Sequence, residues 1–79
     1  MMAYTLYRLV AGSYDIVLDD KIIGSLVLNP AHRSIWTAEL LTEVEPQQRP
    51  APFVETEHRF RKLEDVLAWL GSPEVKDRH

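Results

Sequence analysis

Cysteine is absent from this chain of 79 residues. Neither a disulfide nor a thiolate metal site is therefore available to stabilise it, and nothing indicates an oxidising compartment. A domain this short buries a smaller share of its surface than a larger one does, so each large apolar residue is first a candidate for the core. The sequence predicts one domain over residues 1–79 that depends on packing, to which a second subunit would add.

Long apolar runs are missing as well. No window approaches the roughly twenty apolar residues that span a membrane, and Met1–Thr5 contains no basic segment followed by an apolar run. We expect a cytoplasmic protein with no membrane partner. Twelve acidic residues against nine basic ones give a formal net charge of −3, whereas nucleic-acid binders more often have a basic balance.

The sequence has few of the residues from which active sites are built. Its three histidines, His32, His58 and His79, lie in separate segments without the spacing of a zinc site. Its three glycines are too far apart for a phosphate-binding loop, and no serine lies in a G-x-S-x-G motif. We therefore expect no catalytic residue, no cofactor and no metal, and we expect that the protein is not an enzyme.

What the chain does contain is strand-like alternation followed by one helical repeat. Alternating apolar residues favour strands over 4–10, 14–28 and 34–41, and the segment Phe60–Gly71 has apolar residues at helical spacing. Lys62 is a poor N-cap for this helix, and Gly71 is a typical terminator. The predicted class is α+β: an antiparallel three- to four-stranded meander with one C-terminal helix packed on one face, in the order β-β-β-β-α.

The register of the hairpin over 14–28 follows from its apolar residues. A three-residue loop at 19–21 would set Leu18 opposite Ile22 and Ile16 opposite Gly24. A glycine inside a strand marks a bulge or a close approach by another element, here the helix or Trp36. The core is expected to span about residues 4–71.

Two segments break the alternation. Residues 42–57 form a Pro- and Glu-rich loop, which makes them a candidate contact segment. Phe53 is an apolar anchor of that loop, and the alternative is that it tucks under the edge of the sheet. The last residues, 72–79, are short and charged, and we expect a frayed tail there.

The face of the predicted sheet that lies opposite the helix leads to the functional hypothesis. One helix cannot cover both faces of a sheet, and apolar residues at 17, 23, 27 and 35 would lie on the uncovered one. Exposed apolar patches on small proteins mark partner surfaces, so we predict a protein partner, either a second copy in a homodimer or another protein. The candidate interface residues are Val17, Ile23, Val27, Ile35 and Phe53. The alternative is that the loop or the N-terminal segment covers this face.

A second hypothesis is nucleic-acid binding through the basic stretch 58–62. Cations around an aromatic residue suit phosphate contacts and base stacking. The candidate contacts are Arg33, His58, Arg59, Arg61 and Lys62. Acidic residues flank the stretch on both sides, so a solvated surface is the favoured interpretation.

Some of these segments have a familiar order. In this order the chain resembles many short uncharacterised bacterial proteins. The segments concerned are a strand with Ile16, a turn followed by Ile23-Gly24, the strand Trp36-Thr37-Ala38 and a helix containing Trp69-Leu70. The resemblance covers roughly residues 14–71. It implies a fold and no activity.

A more distant similarity is to the three-strand-plus-helix DNA-binding modules of the AP2 and integrase-arm type. Those modules contact DNA with basic and aromatic residues on the open face of the sheet. Here that face would present Val17, Ile23, Val27, Ile35 and Glu39 instead. The similarity is therefore one of topology, which by itself implies no function.

Overall fold

Six strands and one short helix form the part of the chain that the structure, a computed structural model, describes: residues 4–32, 34–41 and 45–77. The strands are β1 (Tyr4–Val10), β2 (Ser13–Leu18), β3 (Lys21–Leu28), β4 (Trp36–Leu40), β5 (Glu57–Phe60) and β6 (Glu74–Asp77). The helix α1 spans Leu63–Trp69, and a single 3₁₀ turn spans Pro46–Gln48.

The sheet has the order β5-β4-β3-β2-β1-β6. Consecutive strands from β1 to β5 pair antiparallel. The last strand, β6, pairs in parallel with β1 and forms the edge of the sheet opposite β5. The chain thus crosses one face of the sheet between β5 and β6, and α1 lies in this crossover. The predicted α+β class is confirmed. The prediction of a purely antiparallel sheet with three to four strands is wrong, because the sheet has six strands and is mixed.

The two strands that the sequence did not predict lie at the two edges of the sheet. β5 occupies the end of the predicted loop and the start of the basic stretch, while β6 occupies residues expected to form a frayed tail. The side chains of β6 are all exposed, so no apolar alternation marks the strand in the sequence. It forms because it pairs with the backbone groups along the outer edge of β1, and its charges suit an edge strand.

The β2–β3 turn differs from the predicted one by a residue. Asp19 and Asp20 have φ angles of 52° and 67°, which is typical of a two-residue type I′ turn. Leu18 therefore pairs with Lys21, and the predicted Leu18–Ile22 pair is wrong. A register shift then restores the predicted pairing of Ile16 with Gly24.

Gly24 is required by a close approach, although not the one that the sequence suggested. A Cβ atom at Gly24 would overlap the backbone carbonyl oxygen of Glu39, in β4. Neither the helix nor Trp36 causes this restriction. The approach belongs to the pairing of β3 with β4.

The helix is shorter than the predicted segment because β5 includes Phe60. Lys62 precedes α1 in an extended conformation and gives no side-chain cap, as predicted. Gly71 has a φ of +82°, and the Ser72 N–H donates to the Leu67 carbonyl oxygen at 2.7 Å, which ends the helix. The prediction of Gly71 as terminator is thereby confirmed.

The core lies between the sheet and α1. Leu6, Ile16 and Leu26 from three neighbouring strands and Val66 from the helix are fully buried. We call this side of the sheet the helix face and the other side the reverse face. The helix face includes the strand residues Tyr4, Leu6, Tyr14, Ile16, Leu18, Leu26, Ala38, Leu40, His58 and Phe60.

Candidate functional site

The reverse face is defined by the pairing of its residues, because partners in adjacent strands point to the same side of a sheet. Its side chains form three rows that cross the strands. The hairpin row, nearest the β2–β3 turn, contains Glu74, Thr5, Val17 and Ile22. The central row contains Lys76, Tyr7, Asp15, Ser25, Glu39 and Glu57. The Val27 row contains Val10, Ser13, Val27, Thr37 and Arg59.

These rows correct the idea of one continuous apolar patch. Branched apolar side chains lie in the hairpin row and in the Val27 row, and the polar central row lies between them. Of the predicted interface residues, Val17 is on this face but only 8% exposed, while Val27 is 39% exposed. Ile35 precedes β4 and borders a shallow depression together with Arg59 and Arg61.

Ile23 is not on the reverse face. It is the extra residue of the register shift in the hairpin, and its side chain packs against the core on the helix face. Ile22 pairs with Val17 and takes the predicted place of Ile23, with 44% of its surface exposed. The sequence signal for this exchange is Asp19-Asp20, because two consecutive residues that tolerate positive φ favour a two-residue turn.

Phe53 is a core residue and is not available to a partner. It is 3% exposed, and its ring lies 4.7 Å from that of Trp69 and 6.4 Å from that of Tyr4, measured between centroids. The alternative interpretation of Phe53, burial beneath the sheet, is therefore the correct one. Its loop consequently packs on the helix face, and so do the residues of α1.

Hydrogen bonds hold the 49–56 segment against that face. The Tyr4 hydroxyl donates to the Ala51 carbonyl oxygen at 2.6 Å, and the Arg49 guanidinium donates to the Val54 carbonyl oxygen at 2.7 Å. The Nε2 atom of His58 accepts from the backbone N–H groups of Val54 and Glu55, at 3.3 and 3.1 Å. Burial raises the pKa of Tyr4 to about 12, because its charged form would lose contact with water.

The basic stretch 58–62 does not form one surface. His58 points to the helix face, where its ring contacts Trp69 at 4.8 Å between centroids. Arg59 points to the reverse face and forms an ion pair with Glu57 at 3.0 Å. Arg61 and Lys62 are exposed in the link to α1, and Arg33 lies outside the described residues. Nucleic-acid binding stays a prediction, with its candidate residues divided between the two faces.

Within residues 4–32, 34–41 and 45–77, no three His, Asp or Glu side chains converge on a position suited to a metal ion. No helix in that part of the chain has the length and apolar character needed to cross a bilayer.

Comparisons of the chain with protein-family models, curated proteins and solved structures found no significant match. The resemblances to short bacterial proteins and to AP2-type modules therefore stay predictions. The geometry of the reverse face alone therefore makes it the candidate site.

Proposed function

We propose that this chain is a small, non-catalytic protein-interaction module that self-associates through the reverse face of its sheet. The observation that supports the proposal is the partial exposure of Ile22 and Val27 on the face of the sheet opposite α1. Ile22 also borders a depression that Gln48 and Pro50 line. Branched apolar side chains on such a surface gain free energy when a second surface excludes water from them.

The shape of this face suits another protein better than a small molecule. One depression on it, bordered by Tyr7, Val17, Asp20 and Ile22, has a volume of about 260 Å³. Pockets for small molecules are typically about 300–1,000 Å³ and enclose most of the ligand. A sheet surface of this kind instead matches the flat surface of a second sheet.

The test is the solution mass of the protein, measured by light scattering across a hundredfold range of concentration. We expect a monomer–dimer equilibrium for the native sequence. Ile22→Glu should weaken the dimer by at least about tenfold, because it would bury an unpaired carboxylate in the interface. Ile22 replaces Ile23 as the residue to mutate, since Ile23 packs in the core.

The matched control is Val75→Glu. Val75 is 45% exposed, against 44% for Ile22, but it pairs with Leu6 and so lies on the helix face of β6. Val75→Glu should leave the dimer unchanged. A native chain that stays monomeric throughout would overturn the proposal. If that monomer bound an oligonucleotide with strong salt dependence, the nucleic-acid hypothesis would replace it.

A further inference from the structure

The order of charges across the reverse face selects one way of packing two copies. Two sheets packed face to face around a twofold axis have two simple arrangements, with the axis running either along the strands or across them. We infer that the axis runs along the strands, between β2 and β3. This inference rests on the self-association proposed above and adds the register of the dimer to it.

An axis along the strands keeps each row against the same row of the second copy and reverses the order of the strands. Because β2 and β3 are the middle of the sheet, β2 then faces β3 of the second copy, β1 faces β4, and β6 faces β5. The facing pairs of the central row are Lys76 with Glu57, Tyr7 with Glu39, and Asp15 with Ser25.

These pairs are complementary. Lys76 and Glu57 also have ion-pair partners within their own copy, Glu74 at 3.7 Å and Arg59 at 3.0 Å, and these partners lie at the rim. Each carboxylate of the central row faces a group that can donate a hydrogen bond: an ammonium, a phenol or a serine hydroxyl. Because the axis is twofold, every pair occurs twice in the dimer. The strand directions of two packed sheets differ by about 30°. Lys76 and Glu57 can still meet at this angle, since both side chains are long.

The other arrangement places like charges together. With the axis across the strands, each strand faces its own copy, so every residue of the central row would face its own counterpart. Glu39 would then lie opposite Glu39, Glu57 opposite Glu57, and Lys76 opposite Lys76. Such juxtapositions oppose association and are how interfaces reject a wrong register.

The outer rows do not decide between the two arrangements, because the axis across the strands would join Ile22 of one copy with Val27 of the second. The axis along the strands joins other pairs. In the hairpin row, Val17 of one copy faces Ile22 of the second, which joins the apolar residues nearest the turn. In the Val27 row, Val27 faces Ser13 and Val10 faces Thr37. The charged residues of these rows, Glu74 and Arg59, lie on the outer strands and therefore at the rim.

The size of the face sets the expected strength of the dimer. Six strands about 4.8 Å apart and four to eight residues long present roughly 500 Å² of flat area. Stable interfaces bury about 800 Å² per partner. We therefore expect a reversible dimer whose population changes within an ordinary range of protein concentration.

The decisive experiment reverses the charges of the Lys76–Glu57 pair. Lys76→Glu and Glu57→Lys, measured separately by analytical ultracentrifugation at low salt, should each weaken the dimer by at least about tenfold, because each dimer contains two such pairs. The double variant, and an equimolar mixture of the two single variants, should both restore it. The differences should shrink at high salt, which screens exposed charges.

Asp77→Lys is the control for charge reversal on β6. Asp77 is the next residue along the strand, and it pairs with Arg8 at 3.7 Å on the helix face. This variant should leave the dimer unchanged. Circular dichroism of each variant at high dilution shows whether the monomer is still folded.

The outcomes separate this inference from the proposed function. If both single variants associate like the native chain, the axis along the strands is wrong, although self-association through this face still stands if Ile22→Glu dissociates the dimer. If the double variant stays as weak as the single ones, the two residues do not face each other. A native chain without any dimer overturns both proposals.

Discussion

The helix face of the sheet is covered by other parts of the same chain, whereas the reverse face has a polar row between two sets of apolar side chains. On the helix face, Phe53 from the loop and Val66 from α1 complete a core whose centre is fully buried. On the reverse face, Ile22 and Val27 are partly exposed, and carboxylates lie between them. A face that the same chain covers can be apolar throughout. A face that is exposed to water in the monomer needs charged residues between its apolar ones.

Removing Phe53 should give the largest effect and should be confined to the helix face. Phe53→Ala is expected to lower the free energy of unfolding by about 3–5 kcal/mol, because it leaves a cavity beside Trp69 and Tyr4. Urea denaturation at a concentration where the monomer dominates measures this loss. Val54→Ala is the neighbouring control and should change the free energy by less than about 0.5 kcal/mol, since Val54 is exposed.

A different result would reassign Phe53. If Phe53→Ala left the free energy of unfolding unchanged but weakened self-association, Phe53 would belong to the interface, as the sequence predicted.

Gly24→Ala should disturb both faces together. Its Cβ would overlap the carbonyl oxygen of Glu39, and β4 supplies Leu40 to the helix face and Glu39 to the reverse face. We expect a loss of about 1–3 kcal/mol, typical of an overpacked position, together with a weaker dimer. Chemical denaturation and ultracentrifugation measure the two effects. Loss of stability with unchanged self-association would show that the reverse face does not depend on the position of β4.

The ionisation of Tyr4 should affect the helix face alone. Its pKa is about 12 in the folded chain against an ordinary value of 10.0. The folded state therefore holds this proton more tightly than the unfolded state does. The resulting stability is fully present below pH 10 and is lost as the pH rises from 10 to 12, by on the order of 1 kcal/mol at pH 11.

Tyr4→Phe is the control for this pH dependence. The variant lacks the hydrogen bond to Ala51 and the ionisable group, so its stability should fall less between pH 10 and 12 than that of the native chain. Thermal denaturation at a series of pH values measures the difference. Equal slopes for the two proteins would show that Tyr4 ionises as easily in the folded chain as in the unfolded one.

The smallest predicted effect concerns the turn that places Ile22 on the reverse face. Asp20 has a φ of 67°, which glycine adopts without a Cβ penalty. Asp20→Gly should therefore stabilise the hairpin by about 0.5 kcal/mol. Lys21→Gly, one residue on and within β3, should instead destabilise it by about 0.5–1 kcal/mol. If both variants had the same sign in urea denaturation, the two-residue turn would be in doubt.

Much of the central sheet could be predicted because its information is local. Alternation in the first forty residues indicated β1 to β4, and Gly71 indicated the end of α1. The pairing of Ile16 with Gly24 also followed from the apolar pattern. The face of Ile23 could not be predicted without the length of the turn, because a difference of one residue exchanges the two faces of a strand.

The candidate site divides in the same way. Val17 and Val27 were correctly placed on the reverse face from alternation alone. Phe53 was predicted as an interface residue, with burial under the edge of the sheet as the alternative, and it lies in the core. A loop with several prolines has no period that shows where an aromatic side chain packs. The polar central row was also missed, since it takes one residue from each of six strands and becomes visible only in the register of the sheet.

The sequence by itself determined an α+β domain with a strand-rich first half and one C-terminal helix, because apolar periodicity reflects the local geometry of each element. Only the tertiary structure decided that Glu57–Phe60 and Glu74–Asp77 form the two edges of the sheet. Those strands are short and polar, and the hydrogen bonds that define them come from β4 and β1. The same long-range pairing brought Lys76 and Glu57 to opposite ends of one row, an order that positions along the chain do not reveal.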